Sequence, residues 1–225
     1  MNITALFIAL IAAIILWFFI IRKLKVKPWS TEGVIEHESA ITSIPAERVG
    51  LWVFLAVVTS LFSLFLIMYA ERSGYPDWRP LPDPIILWVN TFFLVLASIC
   101  YQLSRNLIKN NKQKSMKISL YLGGVFTIFF VIGQILAWKT AYSSGFFFSI
   151  NPANTFFYLI TGLHGLHILG GLFVWIKTAS KVWKGLEYSN LSEVSNIRLS
   201  IELCSFYWHY LLLLWLVLFY LLAST

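Results

Sequence analysis

The chain has 225 residues, of which 59% are hydrophobic and only 12% charged, with a mean hydropathy of +0.76. A water-soluble domain of this size would be left with large apolar surface patches, so the composition describes a polytopic membrane protein. The formal net charge of +7 belongs with basic cytoplasmic loops and not with nucleic acid, for which no partner role is expected.

Six apolar runs reach the roughly 20 residues that a helix needs to cross a bilayer. They are about Ile3 to Ile21, Leu51 to Ala70, Ile85 to Leu103, Ile118 to Trp138, Thr155 to Ile176 and Ile201 to Leu222. Each is expected to be helical, because an open strand edge would leave its backbone groups unpaired in lipid. The fold class is therefore an all-α polytopic membrane helix bundle with six transmembrane helices.

The first run, within 1–22, lacks a basic residue before it and is followed by Arg22, Lys23, Lys25 and Lys27. That charge order, without a small-residue cleavage site, describes a retained anchor with an outside N-terminus. A mixed-charge linker follows over 23–49, and the remaining five runs fill 50–225. Between those runs stand a proline-rich loop (Pro76, Pro80, Pro82, Pro84), a charged loop from Lys109 to Lys117, and a Ser, Gly and Asn loop from Ser143 to Pro152.

Of the seventeen basic residues, fourteen lie in the first, third and fifth loops; only Arg72, Arg79 and Lys139 lie in the second and fourth. The positive-inside rule makes the odd loops cytoplasmic and places both termini outside. Cys100 and Cys204 fall inside apolar runs, where a thiol behaves as a small hydrophobe.

Polar residues separate the runs. The third carries Asn90, Thr91, Ser98 and Gln102, and the fourth Gly123, Gly124, Gly133 and Gln134. Small and amide-bearing residues such as these let helices approach and hydrogen-bond in lipid. The fifth run contains TGLHGLHILGG, with His164, His167 and Gly171 at i, i+3 and i+7 on one face. The sixth offers Glu202, Ser205 and His209. Counting about 1.5 Å per residue from the cytoplasmic ends puts His167 and His209 both about 15 Å deep, so the two are expected to face each other. Glu202 lies near the cytoplasmic surface, where it needs a cation or a donor.

Ionisable side chains in a span mark a candidate site. Three readings of His164, His167, Glu202 and His209 stand side by side. They are a single haem held by two histidines, a zinc or di-iron centre short of carboxylates, and a noncatalytic polar cluster tying helices together.

At these residues the chain resembles a known family. TFFYLITGLHGLHILGG followed by ELCSFYWHYLLLLWLVLFYLL is similar to the last two helices of subunit III of haem-copper terminal oxidases. The match rests on Thr161, Gly162, His164, Gly165, His167, Glu202, Tyr207, Trp208, His209 and Trp215. VGLWVFLA and VNTFFLVLAS, around Asn90 and Thr91, and Gln134 agree with earlier helices of the family, so the resemblance covers roughly Val49 to Leu222. Two positions depart from it. Val58 stands where the family usually has a glutamate, and Leu212 where a carboxylate often follows the YWHF motif. The single run before the five-helix core also differs from the two or none usual in the family.

The resemblance implies a noncatalytic subunit in the prokaryotic plasma (inner) membrane that binds no cofactor itself, with haem and copper in partner subunits. Its implied partners are the catalytic haem-copper subunit I, other oxidase subunits, and phospholipids held in a cleft between the first two core helices and the rest. It further implies support of proton uptake and of stability during turnover. Tyr207, Trp208, Trp215, Asn90 and Gln134 are expected at lipid or interface positions. Two other functions remain open from sequence: a subunit-III-like partner of a nitric oxide reductase, and a stand-alone proton-conducting protein.

Overall fold

The structure is a computed structural model that describes residues 45–79, 85–110, 112–148, 150–185 and 191–224. The expected first span, Ile3 to Ile21, and the linker up to residue 44 lie outside the described residues. Among the described residues the chain forms five α-helices: α1 (Ala46–Arg72), α2 (Ile85–Lys109), α3 (Gln113–Ser143), α4 (Pro152–Gly185) and α5 (Leu191–Ala223). All five are long and apolar enough to cross a membrane. The shortest has 25 residues, about 38 Å at the α-helical rise.

Four of the helices extend past their apolar runs at both ends, and α2 extends past its run at the C-terminal end only. α1 begins directly after Pro45, which stands at the N-cap position with an extended ψ of 136°, four residues inside the segment expected as linker. α4 begins at Pro152 with Asn151 as its cap, the Asn151 Oδ1 accepting the Ala153 N–H at 3.1 Å. α3 stops at a left-handed residue, Gly145, with φ of 87°. The Phe146 N–H returns to the Ala141 carbonyl and the Gly145 N–H to the Tyr142 carbonyl, both at 3.1 Å. This pair of bonds closes the orphan carbonyls of the last turn.

α2, α3, α4 and α5 form a four-membered ring in which each helix packs on two neighbours: α2 on α3 and α5, α4 on α3 and α5. α1 lies outside the ring and touches only α4 and α5 among the described helices. One apolar core fills the ring, including Leu94, Met116, Phe130, Ile168, Leu211 and Trp215. A second, smaller one joins Val58, Phe62 and Tyr69 of α1 to Ile160, Leu214 and Leu218.

Close approach within the ring depends on two glycines of α3. A Cβ on Gly133 would lie 1.9 Å from the Asn90 Oδ1, and one on Gly124 would lie 2.2 Å from the Trp175 indole. α3 can therefore seat a neighbour's side chain directly on its backbone.

The α1–α2 and α3–α4 connections share one end of the bundle. Arg72 grips Asp77 through two bonds, 2.7 and 2.5 Å, and the guanidinium holds that carboxyl below the usual carboxylate range. The Asn151 side chain donates to the Arg79 carbonyl and accepts from its N–H, joining the two connections. The basic connection between α2 and α3 and the basic end of α4 lie at the opposite end.

Candidate functional site

Glu202 and His209, two turns apart, lie on the side of α5 that meets α2, while Tyr207 lies on the side that meets α4. At the basic end, the Glu202 carboxylate accepts from the Arg105 guanidinium at 2.9 Å and from that of Arg48 at 3.2 Å. One carboxylate thus joins α5 to both α2 and α1. Charge-assisted bonds of this kind are the strong members of their class, though all three side chains keep about a third of their surface exposed (30–34%).

About two turns further along, His209 faces α2. Its Nε2–H donates to the Gln102 Oε1 at 2.9 Å. The Nδ1 is then the acceptor in the neutral ring and takes the Ser98 hydroxyl at 2.5 Å. Both ring nitrogens are satisfied by one neighbouring helix.

The two histidines of α4 do not join this group. His164 is fully buried, stacked on Trp215 with centroids 5.1 Å apart, and meets Phe130 edge-on at 5.9 Å. Neither ring nitrogen has a hydrogen-bond partner. His167 turns to the α1 side, packing against Phe62 at 5.5 Å and Phe54 at 6.3 Å. Its Nδ1–H donates to the Leu163 carbonyl one turn back, at 2.7 Å.

The expected meeting of His167 with His209 therefore does not occur, and His164, His167, Glu202 and His209 occupy separate environments. The cause is helical geometry. Three residues along a helix leave two side chains about 60° apart; here that angle sends one ring into the four-helix core and the other past α5 toward α1. Residue 167 does tie α4 to α5, but through its backbone: the Tyr207 hydroxyl donates to the His167 carbonyl at 2.8 Å.

Tyr207, Trp208, Trp215, Asn90 and Gln134, expected at lipid or interface positions, are all buried between helices. The Trp208 ring stacks flat on Tyr101, centroids 5.0 Å apart at 8°. Trp215 donates to the Thr91 hydroxyl at 2.9 Å, and Asn90 donates to Gln134 Oε1 at 3.4 Å. In this chain the amphipathic aromatics serve helix contacts: Tyr207 and Trp215 find hydrogen-bond partners on neighbouring helices, and Trp208 contributes its stacked ring.

A family model described as cytochrome c oxidase subunit III matches residues 2–223. The chain belongs to the cytochrome c oxidase subunit III family. It is 26% identical over 206 residues to a probable cytochrome c oxidase subunit 3 of Rickettsia prowazekii, covering 84% of this chain and 72% of that one. It is 26% identical over 175 residues to the Synechocystis cytochrome c oxidase subunit 3, covering 76% and 72%. Against the subunit 3 of Thermostichus vulcanus it is 24% identical over 202 residues, covering 85% and 96%.

As a member of the subunit III family, the chain is a noncatalytic, multi-pass membrane subunit of the respiratory terminal oxidase and associates with other oxidase subunits. Family subunits carry no redox centres. The donor geometry agrees with a structural role: among the described residues no group of three or more His, Cys, Asp and Glu side chains is arranged to hold a metal. His209 has both nitrogens committed to α2, and His167 has one committed to its own helix.

Sequence reasoning missed Arg48 and Arg105 as partners of Glu202, having counted both as loop charges. A signal was present, since both sit at the basic end, where Glu202 required a cation. Trp138 was missed too; its indole N–H donates to the Thr161 hydroxyl at 3.0 Å and joins α3 to α4.

Proposed function

We propose that this subunit packs against the catalytic haem-copper subunit I in a prokaryotic plasma membrane, holds phospholipid, and sustains proton uptake and stability over many turnovers. In this reading the basic loops face the cytoplasm and the C-terminus faces outward. The observation that carries it is the way α5 is used. Every ionisable or aromatic polar group of the family motif is spent on bonds or stacking to α1, α2 or α4, and none is left as a matched set for chemistry. Such a bundle is a rigid body suited to buttressing a neighbour.

Val58 narrows how the subunit assists protons. The side chain is buried between α1 and its neighbours, at the place where the family resemblance implies a glutamate, so that carboxylate takes no part here. Glu202 with Arg48 and Arg105 is the remaining carboxylate of the motif, and it sits at the basic end, where protons enter if the basic loops are cytoplasmic.

The test is to tag the full chain, extract it in mild detergent, and record the haem spectrum and subunit content of what comes with it. A haem-copper catalytic subunit in stoichiometric yield is the expected result. Recovery of the chain alone under conditions that keep the cell's oxidase intact would overturn the assembly reading. With the complex in hand, Glu202→Gln is expected to leave the haem spectrum and initial rate intact while activity decays faster during sustained turnover.

A further inference from the structure

Two features at the basic end of α3 and α4 have no part in the reading above. The first is a one-sided charge. From residue 84 to residue 186 the sequence contains no Asp or Glu, while Lys112, Lys114 and Lys117 stand at the start of α3, and Lys177 and Lys181 at the end of α4. Among the described residues no carboxylate pairs with Lys117.

The second is a cleft of about 290 Å³ between the same two helix ends. Its walls are apolar: Leu120, Tyr121, Ile176, Ala179 and Val182. Trp175 is fixed in the floor, its indole N–H donating to the Leu120 carbonyl at 2.9 Å and its ring seated on Gly124. At the mouth the Lys117 ammonium lies 5.4 Å from the centre of the Trp183 ring, beside Ser180. The cleft is thus greasy along its length and cationic at one end, with two indoles beside the lysine, a combination suited to the zone where hydrocarbon gives way to head groups.

We propose that this cleft binds one diacyl phospholipid with a net negative head group. An acyl chain lies between α3 and α4 on Leu120, Ile176 and Ala179, and the phosphodiester is held by Lys117 with Ser180 as a hydroxyl donor. Selectivity against a zwitterionic lipid follows from the one-sided charge: among the described residues of α3 and α4 a choline or ethanolamine group finds lysines and no carboxylate to accept it. Basic pockets between helix ends are suited to anionic head groups for this reason. The site is separate from the cleft that the family resemblance implies between the first two core helices and the others. It does not depend on the assembly reading, because lipid binding can be measured whether or not a haem protein accompanies the chain.

The experiment is native mass spectrometry of the purified full chain, with whatever subunits accompany it, after detergent delipidation. The protein is titrated with palmitoyl-oleoyl phosphatidylglycerol or with the matching phosphatidylcholine. Wild type is expected to bind one phosphatidylglycerol in preference to phosphatidylcholine. Lys117→Gln should weaken phosphatidylglycerol about fivefold, the factor given by about 1 kcal/mol per basic residue at an anionic interface, and leave phosphatidylcholine unchanged. Ala179→Phe fills the cleft and should remove the preferred lipid altogether. Lys139→Gln, at the opposite end of α3, should change neither lipid. Equal binding of the two lipids by wild type, or unchanged phosphatidylglycerol affinity in Lys117→Gln, overturns the proposal. So does displacement of the lipid by excess inorganic phosphate, which would make the site a simple anion site.

Discussion

α1 and the ring of α2 to α5 are built from the same kind of sequence and are held by different means. α1 has the most apolar window of the five helices, yet only 17% of that window is buried, against 28–39% in the others. Trp52, Val57 and Leu64 point outward with about half their surface exposed (48%, 58% and 55%). Hydropathy therefore measures fitness to span and says little about burial. In lipid, an apolar surface gains nothing by leaving one hydrocarbon for another, so helices are held by close packing and polar contacts. The ring has both: glycines that accept a neighbour's side chain, and indoles bonded across helices. α1 has its small apolar seam, the Arg48–Glu202 ion pair, and the Thr59 and Tyr210 hydroxyls 2.9 Å apart.

The strongest way to break the ring is to fill its glycine seats. Gly133→Ala and Gly124→Ala are each expected to destabilise the bundle by about 1–3 kcal/mol, the range for overpacking. A Cβ at Gly133 displaces Asn90, and one at Gly124 displaces Trp175. Gly170→Ala, where the new methyl meets nothing within 4 Å, serves as the control. Thermal unfolding of the detergent-solubilised chain reads all three; equal midpoints would show that α3 packs with slack.

A middle-sized effect separates two histidines that look alike in sequence. His209→Leu removes bonds to Ser98 and Gln102 and is expected to cost about 0.6–2 kcal/mol, the range for interhelical hydrogen bonds in membranes. His164→Leu removes an imidazole that has no partner, and should leave stability unchanged or raise it, since an unsatisfied buried polar group is itself costly. The same unfolding measurement decides it. A larger loss from His164→Leu than from His209→Leu would reverse the assignment of bonding and packing roles.

The smallest effect belongs to α1. Thr59→Val and Tyr210→Phe each delete one hydroxyl of the pair joining α1 to α5. A double-mutant cycle should give a coupling of about 0.6 kcal/mol. No coupling would mean that α1 is held by its apolar seam and by Glu202 alone.

The five described spans were legible because a bilayer demands about 20 apolar residues and the loops are punctuated by Pro, Gly and Lys. Which face of each span is buried was not legible. Outside α2, which alone is clearly amphipathic, apolar residues lie on all sides of each helix, so no amphipathic stripe marks the inside. Ser98, Gln102 and His209 could each be picked out as polar, but their pairing requires the register between α2 and α5, which is set by packing and carries no local signature. The same holds for Arg48 and Arg105: the helices run beyond the apolar runs, which turned residues counted as loop charges into helix-borne partners of Glu202. The aromatic residues of the motif misled for a related reason. Tyr and Trp suit head groups and helix contacts equally, and composition cannot choose between them.

The flat stack of Trp208 on Tyr101 makes the joint between α2 and α5 visible to light. Two aromatic chromophores fixed face to face in a buried, asymmetric setting contribute to near-ultraviolet circular dichroism, the band that depends on fixed tertiary packing and vanishes when helices persist without it. Far-ultraviolet dichroism counts helix wherever it occurs in the chain. This ring pair sits in the interface between α2 and α5, so the separation of that joint can be followed apart from the melting of helix, without attaching a label.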